Sequence, residues 1–371
     1  MHIGFDIRPL IFTKAGIAHY LYGLISYLSQ NMWLQLHLFS SGKTNIKWNS
    51  SNIVEHLLRL PHLNNLCEQF WQEVLLPWAV DANKIDVFHG CRFHIPRYLH
   101  CPSVVTIHDL AFKKYPQFVV LSATKLFDRY ITISSQKADT IIVLSETTKK
   151  DLINFYEVDP IKIRVIPLAP CIDYIPTAEH IEVTKQEFSI KGEYILFFGT
   201  IEPRKNLTTL IKAYANSSFK DKYYLVIAGP KGWLYEEVFK TAERYNLSNR
   251  IIFTGFVTEQ QKACLYAGCK VFVFISWYEG FGIPVVEAMH FGKATVISNT
   301  SSLAEYFKDA SCMVEPDSIE SVKNALEQVL EDRHFREELE KRSREKVKEF
   351  SWQKTASLTL QVYKEVYDKR K

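Results

Sequence analysis

Two segments of the sequence combine glycines, cations and carboxylates in a pattern that suits a phosphorylated ligand. The first, WYEGFGIPVVEAM at residues 277–289, follows the apolar run 271–275 and opens a helix at Pro284. Gly280 and Gly282 allow backbone N–H groups to approach a ligand closely, and a helix N-terminus carries the positive end of the helix dipole. The segment therefore predicts an anion-binding turn. A plain strand-to-helix connection is the alternative.

Two carboxylates flank this turn. Glu279 stands in the loop, and we place Glu287 in the first turn of the helix. Carboxylates repel phosphate, but they accept hydrogen bonds from hydroxyl groups. We therefore expect Glu279 and Glu287 to bind hydroxyl-bearing groups on the two sides of a diphosphate.

The second segment, FGTIEPRKN at residues 198–206, lies between an apolar run and a helix that we expect Asn206 to cap. Arg204 and Lys205 are adjacent cations near a helix start, where they oppose the dipole unless an anion compensates them. This arrangement predicts phosphate binding, and solvated loop charges are the alternative.

Two residues of the first half stand at comparable positions. His108 follows the apolar run 104–107, and Gly16 follows the first run and opens the first long helix. A packed histidine and an ordinary turn glycine are the alternatives. All four features map to the carboxyl ends of strands, where parallel sheets bind ligands. Together they describe a ligand with a diphosphate and two hydroxyl-bearing ends, as in a nucleoside-diphosphate sugar.

The elements that must position these residues alternate between strand and helix. Helical spacing at 15–30, 66–80 and 121–137 separates short apolar runs, which lie at 2–7, 33–39, 87–89, 104–108, 140–144, 162–166, 194–198, 223–228, 251–254, 271–275 and 294–298. Such alternation predicts an α/β fold with parallel sheets wrapped by helices. Ser145, Thr258 with Gln261, and Pro284 are typical helix starts.

A stretch without clear periodicity, 173–192, divides the chain. We interpret it as a linker between two doubly wound, Rossmann-like domains, at 1–172 and 193–349, that face each other across a cleft.

Composition excludes several classes of protein. The chain has 371 residues, of which 47% are hydrophobic and 23% charged, as in globular proteins. A net charge of +4 is too mild to predict nucleic acid as the ligand. Its seven cysteines include no C-x-x-C pair, which predicts no disulfide framework or zinc site and favours a reducing compartment. Polar residues interrupt the charge-free stretch 15–42, so we expect a cytoplasmic protein without a transmembrane helix.

With these motifs, the sequence resembles the retaining glycosyltransferases of family 4, which have the GT-B fold. The E-x7-E motif is present as Glu279 and Glu287 in EGFGIPVVEAM, and FGTIEPRKN matches the family's phosphate-binding segment. The tail FSWQKTASLTLQVY is similar to the family's closing helix, here 350–371, which returns to the N-terminal domain. GFDIRPL, FWQEVLLP and TIHDLAF resemble the bacterial mannosyltransferase-like branch.

The resemblance implies a role for each site residue. The domain at 1–172 would bind the acceptor and that at 193–349 the nucleotide sugar. Glu279, His108, Arg204 and Lys205 would be the catalytic residues, with the two cations stabilising the leaving diphosphate. Donor-binding residues would be Gly16, Arg204, Lys205, Phe256, Val257, Gly280, Phe281, Gly282, Ile283 and Glu287. Glu287 would bind the ribose, and Phe256 and Val257 would lie near the base. No metal and no cofactor would be needed.

Three positions depart from the family pattern. Ala15 and His19 stand where many relatives have Gly and Arg, and Thr200 stands where some have a further Arg.

The resemblance implies transfer of a hexose, with mannose from GDP-mannose as the expected donor, to a glycan or lipid-linked saccharide. The alternatives are a UDP-glucose or UDP-GlcNAc donor, a GT-B epimerase, and an inactive scaffold subunit. We expect Lys113, Lys114, Lys125 and Arg129 to offer peripheral contact with an anionic membrane at its inner face. Phe70, Trp71, Leu75 and Trp78 are interpreted as the buried stripe of a helix. The alternative is an acceptor mouth formed by these aromatic residues with His89, Arg92 and His94.

Overall fold

The computed structural model describes residues 1–12, 16–59 and 65–370, which form two compact units. Unit 1 contains Met1–Lys113, Leu121–Leu168 and the chain from Ser351 onward. Unit 2 contains Lys114–Val120 and Ala169–Phe350. Each unit has its own parallel sheet.

Unit 1 is built on a seven-stranded parallel sheet with the order β3-β2-β1-β4-β5-β6-β7. Its strands are β1 (His2–Asp6), β2 (Gln35–Ser40), β3 (Ile53–Leu57), β4 (Val87–Gly90), β5 (Ser103–Ile107), β6 (Thr140–Val143) and β7 (Ile163–Val165). Its helices are α1 (Pro9–Phe12), α2 (Gly16–Leu28), α3 (Asn65–Phe70), α4 (Leu76–Ala82), α5 (Ala111–Lys114, which ends at the boundary), α6 (Leu121–Lys137), α7 (Glu146–Tyr156) and, at the end of the chain, α16 (Trp352–Asp368).

Unit 2 repeats the design with six parallel strands in the order β10-β9-β8-β11-β12-β13. The strands are β8 (Tyr194–Phe198), β9 (Tyr224–Ala228), β10 (Ile251–Gly255), β11 (Val271–Phe274), β12 (Thr295–Ser298) and β13 (Cys312–Val314). The helices are α8 (Ala178–Glu187), α9 (Leu207–Ala215), α10 (Glu236–Arg244), α11 (Glu259–Gly268), α12 (Ile283–His290), α13 (Ser301–Phe307), α14 (Ile319–Glu331) and α15 (Arg333–Lys346).

The predicted α/β fold with two Rossmann-like domains is confirmed. Strands such as β11 are buried along their whole length, which is why they read as continuous apolar runs. Ser145 caps α7 and Thr258 forms a capping box with Gln261 on α11, as predicted. Sequence analysis missed β3 and β13, because β3 is half exposed and β13 has three residues.

The segment interpreted as a linker contains helix α8. Thr177 and His180 form its capping box, and Thr184 is its one buried residue. A helix that buries so little surface carries no apolar period, so its sequence looked irregular.

The aromatic stripe at residues 70–78 is only partly buried. Trp71 is fully buried, whereas Phe70 is 49% and Trp78 is 65% exposed. A π-helical turn at Trp71–Leu75 joins α3 to α4. Because a π turn holds more residues than an α turn, it rotates Trp78 away from the face that Trp71 occupies. The stripe interpretation is therefore wrong for Phe70 and Trp78.

Segment Lys114–Val120 groups with unit 2 through aromatic contacts. Phe118 stacks on Trp277 with ring centroids 6.2 Å apart, and the indole Nε1 of Trp233 donates to the Phe118 carbonyl at 2.6 Å. Tyr115 contacts Tyr278 at the same ring separation. These contacts anchor the segment beside the loop that carries Glu279.

Helix α16 packs within unit 1. Its Tyr363 hydroxyl lies 2.6 Å from Nδ1 of His89, and Trp352 packs directly against Gly23 of α2, where a Cβ would clash with the indole ring. Within the described ranges, no helix is both long and apolar enough to cross a membrane.

Candidate active site

The two phosphate-binding segments predicted from the sequence follow neighbouring strands of unit 2. β8 and β11 pair in parallel, and they lie at the point where the strand order reverses. Ligands bind at such a reversal in open α/β sheets. The backbone N–H of Trp277 donates to the carbonyl of Arg204 at 2.9 Å, so the loops after the two strands are joined directly.

Glu279 accepts hydrogen bonds from both predicted cations. Arg204 Nη1 lies 2.9 Å from Oε2, and Lys205 Nζ lies 2.6 Å from Oε1. Glu279 and Lys205 are each 7% exposed. Burial alone would raise the pKa of Glu279, but the charges of Arg204 and Lys205 outweigh it and hold that pKa below its ordinary value. The sequence-predicted acid and cations thus form one cluster.

Arg204 and Lys205 are paired with carboxylates and do not stand as uncompensated charges at a helix start. Arg204 and Lys205 occupy a 3₁₀ turn, Pro203–Lys205, before α9. Carboxylates of the protein itself compensate their charge, because Glu202 also pairs with Arg204 at 2.8 Å. Phosphate is therefore not required to neutralise them.

Asn206 does not cap α9 with its side chain, contrary to the prediction. It stands at the N-cap position with a positive φ of 58° and makes no side-chain cap hydrogen bond. Its amide instead donates to the carbonyls of Pro316 at 2.6 Å and Ile275 at 3.3 Å. Asn206 therefore ties the turn of the cations to the end of β11.

The glycine turn before α12 has the predicted form. Gly282 is the N-cap residue with φ of 108°, and a Cβ there would lie 2.6 Å from Leu303 Cδ2. Pro284 is in the first turn, and half-buried Ile283 begins the helix. Glu287 is the fifth residue of α12, so it lies one turn deeper than we predicted.

The side chain of Phe281, one of the predicted donor-binding residues, is buried. It is 3% exposed, and its ring packs edge-on against an aromatic cluster formed by Tyr306, Phe307 and Phe350. Only its backbone can therefore serve a ligand in the glycine turn.

Two serines that sequence analysis missed fix the backbone of Glu279. Ser301 Oγ accepts from the Glu279 N–H at 3.0 Å, and Ser302 Oγ donates to the Glu279 carbonyl at 2.8 Å. Both begin α13, which follows the neighbouring strand β12. Two adjacent serines are common at a helix start, so the sequence gave no indication that they bind the backbone of Glu279.

Lys262 of α11 was also missed. It is 2% exposed, and its Nζ lies 3.1 Å from Oε1 of Glu287, which is equally buried. A lysine in a polar helix start looks like a solvated charge, so the sequence gives no indication of this ion pair.

Two buried hydroxyl groups lie near the two motif carboxylates. In the described part of the chain, three buried side-chain atoms lack a hydrogen bond of ordinary geometry: Trp48 Nε1, Tyr266 Oη and Ser276 Oγ. Ser276 precedes the Glu279 loop, and the charge of Glu287 adds to burial in raising the pKa of Tyr266. The Ser276 hydroxyl also helps to lower the pKa of Glu279, because it stabilises the charged carboxylate.

The two residues predicted near the base follow β10. Val257 is buried and Phe256 is 60% exposed. β10 is the edge strand, separated from β8 by β9, so these residues follow a strand apart from the β8–β11 pair.

His108 and Gly16 belong to unit 1. Nε2 of His108 donates to the Cys91 carbonyl at 2.8 Å, so the proton of this ring is on Nε2. Burial lowers the pKa of His108, which favours a neutral ring. Gly16 is exposed, and a Cβ there would meet no atom within 4 Å, so its described surroundings do not require glycine. Ala15 lies outside the described residues, whereas His19 lies in α2.

Comparison with known proteins identifies the family. The family models "Glycosyltransferase Family 4" and "Glycosyl transferases group 1" match residues 15–169 and 180–346. The chain is 31% identical over 292 residues to the O-antigen chain mannosyltransferase B of Escherichia coli, which covers 77% of this chain and 76% of that protein. This chain belongs to glycosyltransferase family 4.

The glycosyltransferase has further similar proteins. It is 35% identical over 236 residues to the serotype-specific mannosyltransferase WbdA of Escherichia coli, which covers 61% of this chain and 28% of that protein. Its fold matches sucrose-phosphate synthase from Thermosynechococcus elongatus with a TM-score of 0.79, 20% identity and coverage of 99% of both chains. The predicted GT-B fold and glycosyltransferase activity are therefore confirmed.

Proposed function

We propose that this glycosyltransferase moves mannose from GDP-mannose to a glycan or lipid-linked saccharide, with retention of configuration and without a metal. The observation that carries the proposal is the convergence of Arg204, Lys205 and Glu279 after β8 and β11. The names of the mannosyltransferase relatives support the choice of sugar.

In this proposal the two cations bind the donor's diphosphate and stabilise the charge that develops as it leaves. Glu279 binds hydroxyls of the sugar, and Glu287 binds those of the ribose. The bond between the anomeric carbon and the diphosphate breaks while the acceptor oxygen attacks the same face. The acceptor's proton passes to the leaving phosphate oxygen.

The proposed acceptor site lies in unit 1. A cavity of about 200 Å³ there is lined mostly by polar and aromatic residues, with two aliphatic ones: Gln69, Gln72, Glu73, Arg97, Tyr98, Leu126, Arg129, Tyr130 and Ile133. Tyrosine rings and amide groups suit a sugar, which combines an apolar face with many hydroxyls. Three residues of the predicted acceptor mouth are buried: Trp71 and His89 are fully buried, and His94 pairs with Glu73 at 3.0 Å.

The proposal also includes peripheral contact with an anionic membrane. Lys113 pairs with Asp128 at 2.8 Å, and Lys114 lies 5.9 Å from the ring of Tyr278. Lys125 and Arg129 are exposed and remain the proposed contacts with anionic lipid. Flotation with phosphatidylserine vesicles tests this, and a protein that stays with the soluble fraction would remove the contact from the proposal.

A thermal-shift panel of GDP, UDP, ADP and TDP with their sugar conjugates tests the donor, because a ligand of the folded form raises the melting temperature. We expect a selective rise with GDP and GDP-mannose that persists in EDTA. A selective rise with UDP would replace the mannosyl donor by a UDP-sugar. No rise with any nucleotide would contradict the site. Product analysis without acceptor separates transfer from epimerisation, since only an epimerase interconverts the donor.

A further inference from the structure

Lys262 uses all three of its N–H groups inside unit 2. Its Nζ lies 3.1 Å from Glu287 Oε1 and 2.7 Å from Glu259 Oε2, and it donates to the Cys171 carbonyl at 3.0 Å. An ammonium group has three donors, so this coordination is complete. A lysine held in this way has no rotational freedom left at its charged end.

The Lys262–Glu287 pair is removed from solvent, whereas the Glu259 side chain is 60% exposed. Burial alone would lower the pKa of Lys262, but the charges of Glu287 and Glu259 raise it above its ordinary value, so Lys262 stays protonated. Removing one member of a buried ion pair leaves the other charge uncompensated. The orientation of Glu287 therefore depends on Lys262.

Lys262 binds one oxygen of Glu287 and thereby fixes the carboxylate in one orientation. Tyr266, four residues later on α11, lies on the same helical face and is close enough for the Glu287 charge to raise its pKa further. Lys262 binds Glu287 through Oε1. A carboxylate can accept about four hydrogen bonds, so the group keeps capacity for a ligand's hydroxyl groups.

We propose that Lys262 is a positioning residue that holds the Glu287 carboxylate in the orientation in which it accepts hydrogen bonds from the ribose hydroxyls of the nucleotide. This inference rests on the proposed function, in which Glu287 binds the ribose. All three donors of Lys262 are engaged within the protein, so Lys262 does not itself donate to the nucleotide. It also holds the Cys171 backbone, just after the chain enters unit 2 at Ala169.

The test compares nucleotides with and without ribose hydroxyls on the full chain. Calorimetric Kd values are measured for GDP and 2′,3′-dideoxy-GDP, and in parallel for UDP and 2′,3′-dideoxy-UDP. A hydrogen bond to a charged acceptor is worth about tenfold or more in affinity. We expect the wild type to prefer the ribonucleotide by at least about tenfold. In Lys262→Met the affinity for the ribonucleotide should fall by about tenfold, while the affinity for the dideoxynucleotide stays unchanged.

Controls separate positioning from general damage. Lys270→Met removes a surface ion pair with Glu193 (2.7 Å) and should keep the wild-type preference. If Lys262→Met fails to fold, Lys262→Gln serves instead, because its amide can still donate to Cys171 but carries no charge. The double variant K262M/E287Q should lose no more of the preference for the ribonucleotide than either single variant does, because both residues act on the same contact.

Three results would overturn the inference. If the Lys262 variants bind the ribonucleotide and the dideoxynucleotide more weakly by the same factor, Lys262 has only a structural role. If their preference for the ribonucleotide equals that of the wild type, Lys262 does not position Glu287. A wild-type protein that binds both nucleotides equally well would show that Glu287 does not accept hydrogen bonds from the ribose hydroxyls. A wild type that binds no nucleotide would contradict the proposed function itself, which distinguishes that failure from the others.

Discussion

Lys205 and Glu279 are 74 residues apart in the chain, and a 2.6 Å hydrogen bond joins Nζ of the lysine to Oε1 of the glutamate. Arg204 binds the other carboxylate oxygen, and Glu202 binds Arg204. Two acids and two cations therefore balance each other in this cluster. A diphosphate that binds Arg204 and Lys205 must compete with Glu279.

Glu279→Gln should tighten binding of free nucleoside diphosphate while it slows transfer. The amide keeps the shape of the side chain but no longer competes for the cations, so the Kd of GDP should fall by about threefold or more. Loss of the proposed sugar contact should reduce kcat by about 10²-fold or more. Calorimetry and a transfer assay measure the two effects. Glu182→Gln, on the surface beside Lys185, is the matched control.

Lys205→Ala should weaken nucleotide binding and reduce turnover by about 10²-fold or more, because a cation that stabilises the leaving diphosphate is lost. It also leaves Glu279 buried with Arg204 as its remaining charged partner. Lys191 is exposed, so Lys191→Ala is the control and should behave as wild type. A near-normal kcat in a folded Lys205→Ala protein would remove Lys205 from the site.

Gly282→Ala should lower the melting temperature, since φ of 108° is strained for alanine and its Cβ would lie 2.6 Å from Leu303 Cδ2. We expect a loss of about 1–3 kcal/mol. Gly16→Ala is the matched comparison, because nothing lies within 4 Å of a Cβ there. Urea unfolding measures both. Equal stability of the two variants would contradict the turn geometry.

Stability should fall as the pH drops below about 6.5. His89 is fully buried, with Nδ1 2.6 Å from the Tyr363 hydroxyl and Nε2 2.7 Å from the Thr106 hydroxyl. Burial lowers the pKa of His89 from its ordinary 6.5 to about 3. Between these values the unfolded chain binds a proton that the folded protein does not, so the free energy of unfolding falls by about 1.4 kcal/mol per pH unit.

Urea unfolding between pH 7.5 and 5 measures this slope. His89→Gln should flatten it, and His100→Gln should not, because the His100 side chain is 80% exposed. Some slope should remain in His89→Gln, since burial also lowers the pKa of His37 to about 4. A slope unchanged by His89→Gln would contradict the neutral state of this ring.

Local sequence patterns were sufficient for most elements of the fold. Fully buried parallel strands such as β8 and β11 appear as apolar runs whatever surrounds them, and caps such as Ser145 act within a few residues. The π turn at Trp71–Leu75 was not predictable in this way. It depends on how the helix packs, so the exposure of Trp78 is a tertiary result.

The sequence by itself determined which residue types stand at the ends of β8 and β11, and therefore that Glu279, Arg204 and Lys205 would meet. Strand order brings those ends together, and alternation of strand and helix predicts that order. Only the tertiary structure decided how the charges pair. Lys262 is opposite Glu287, and Asn206 binds Pro316 rather than capping α9, because α11, α12 and the segment after β13 converge there from distant parts of the chain. Pairing across such separations depends on packing, which no local pattern encodes.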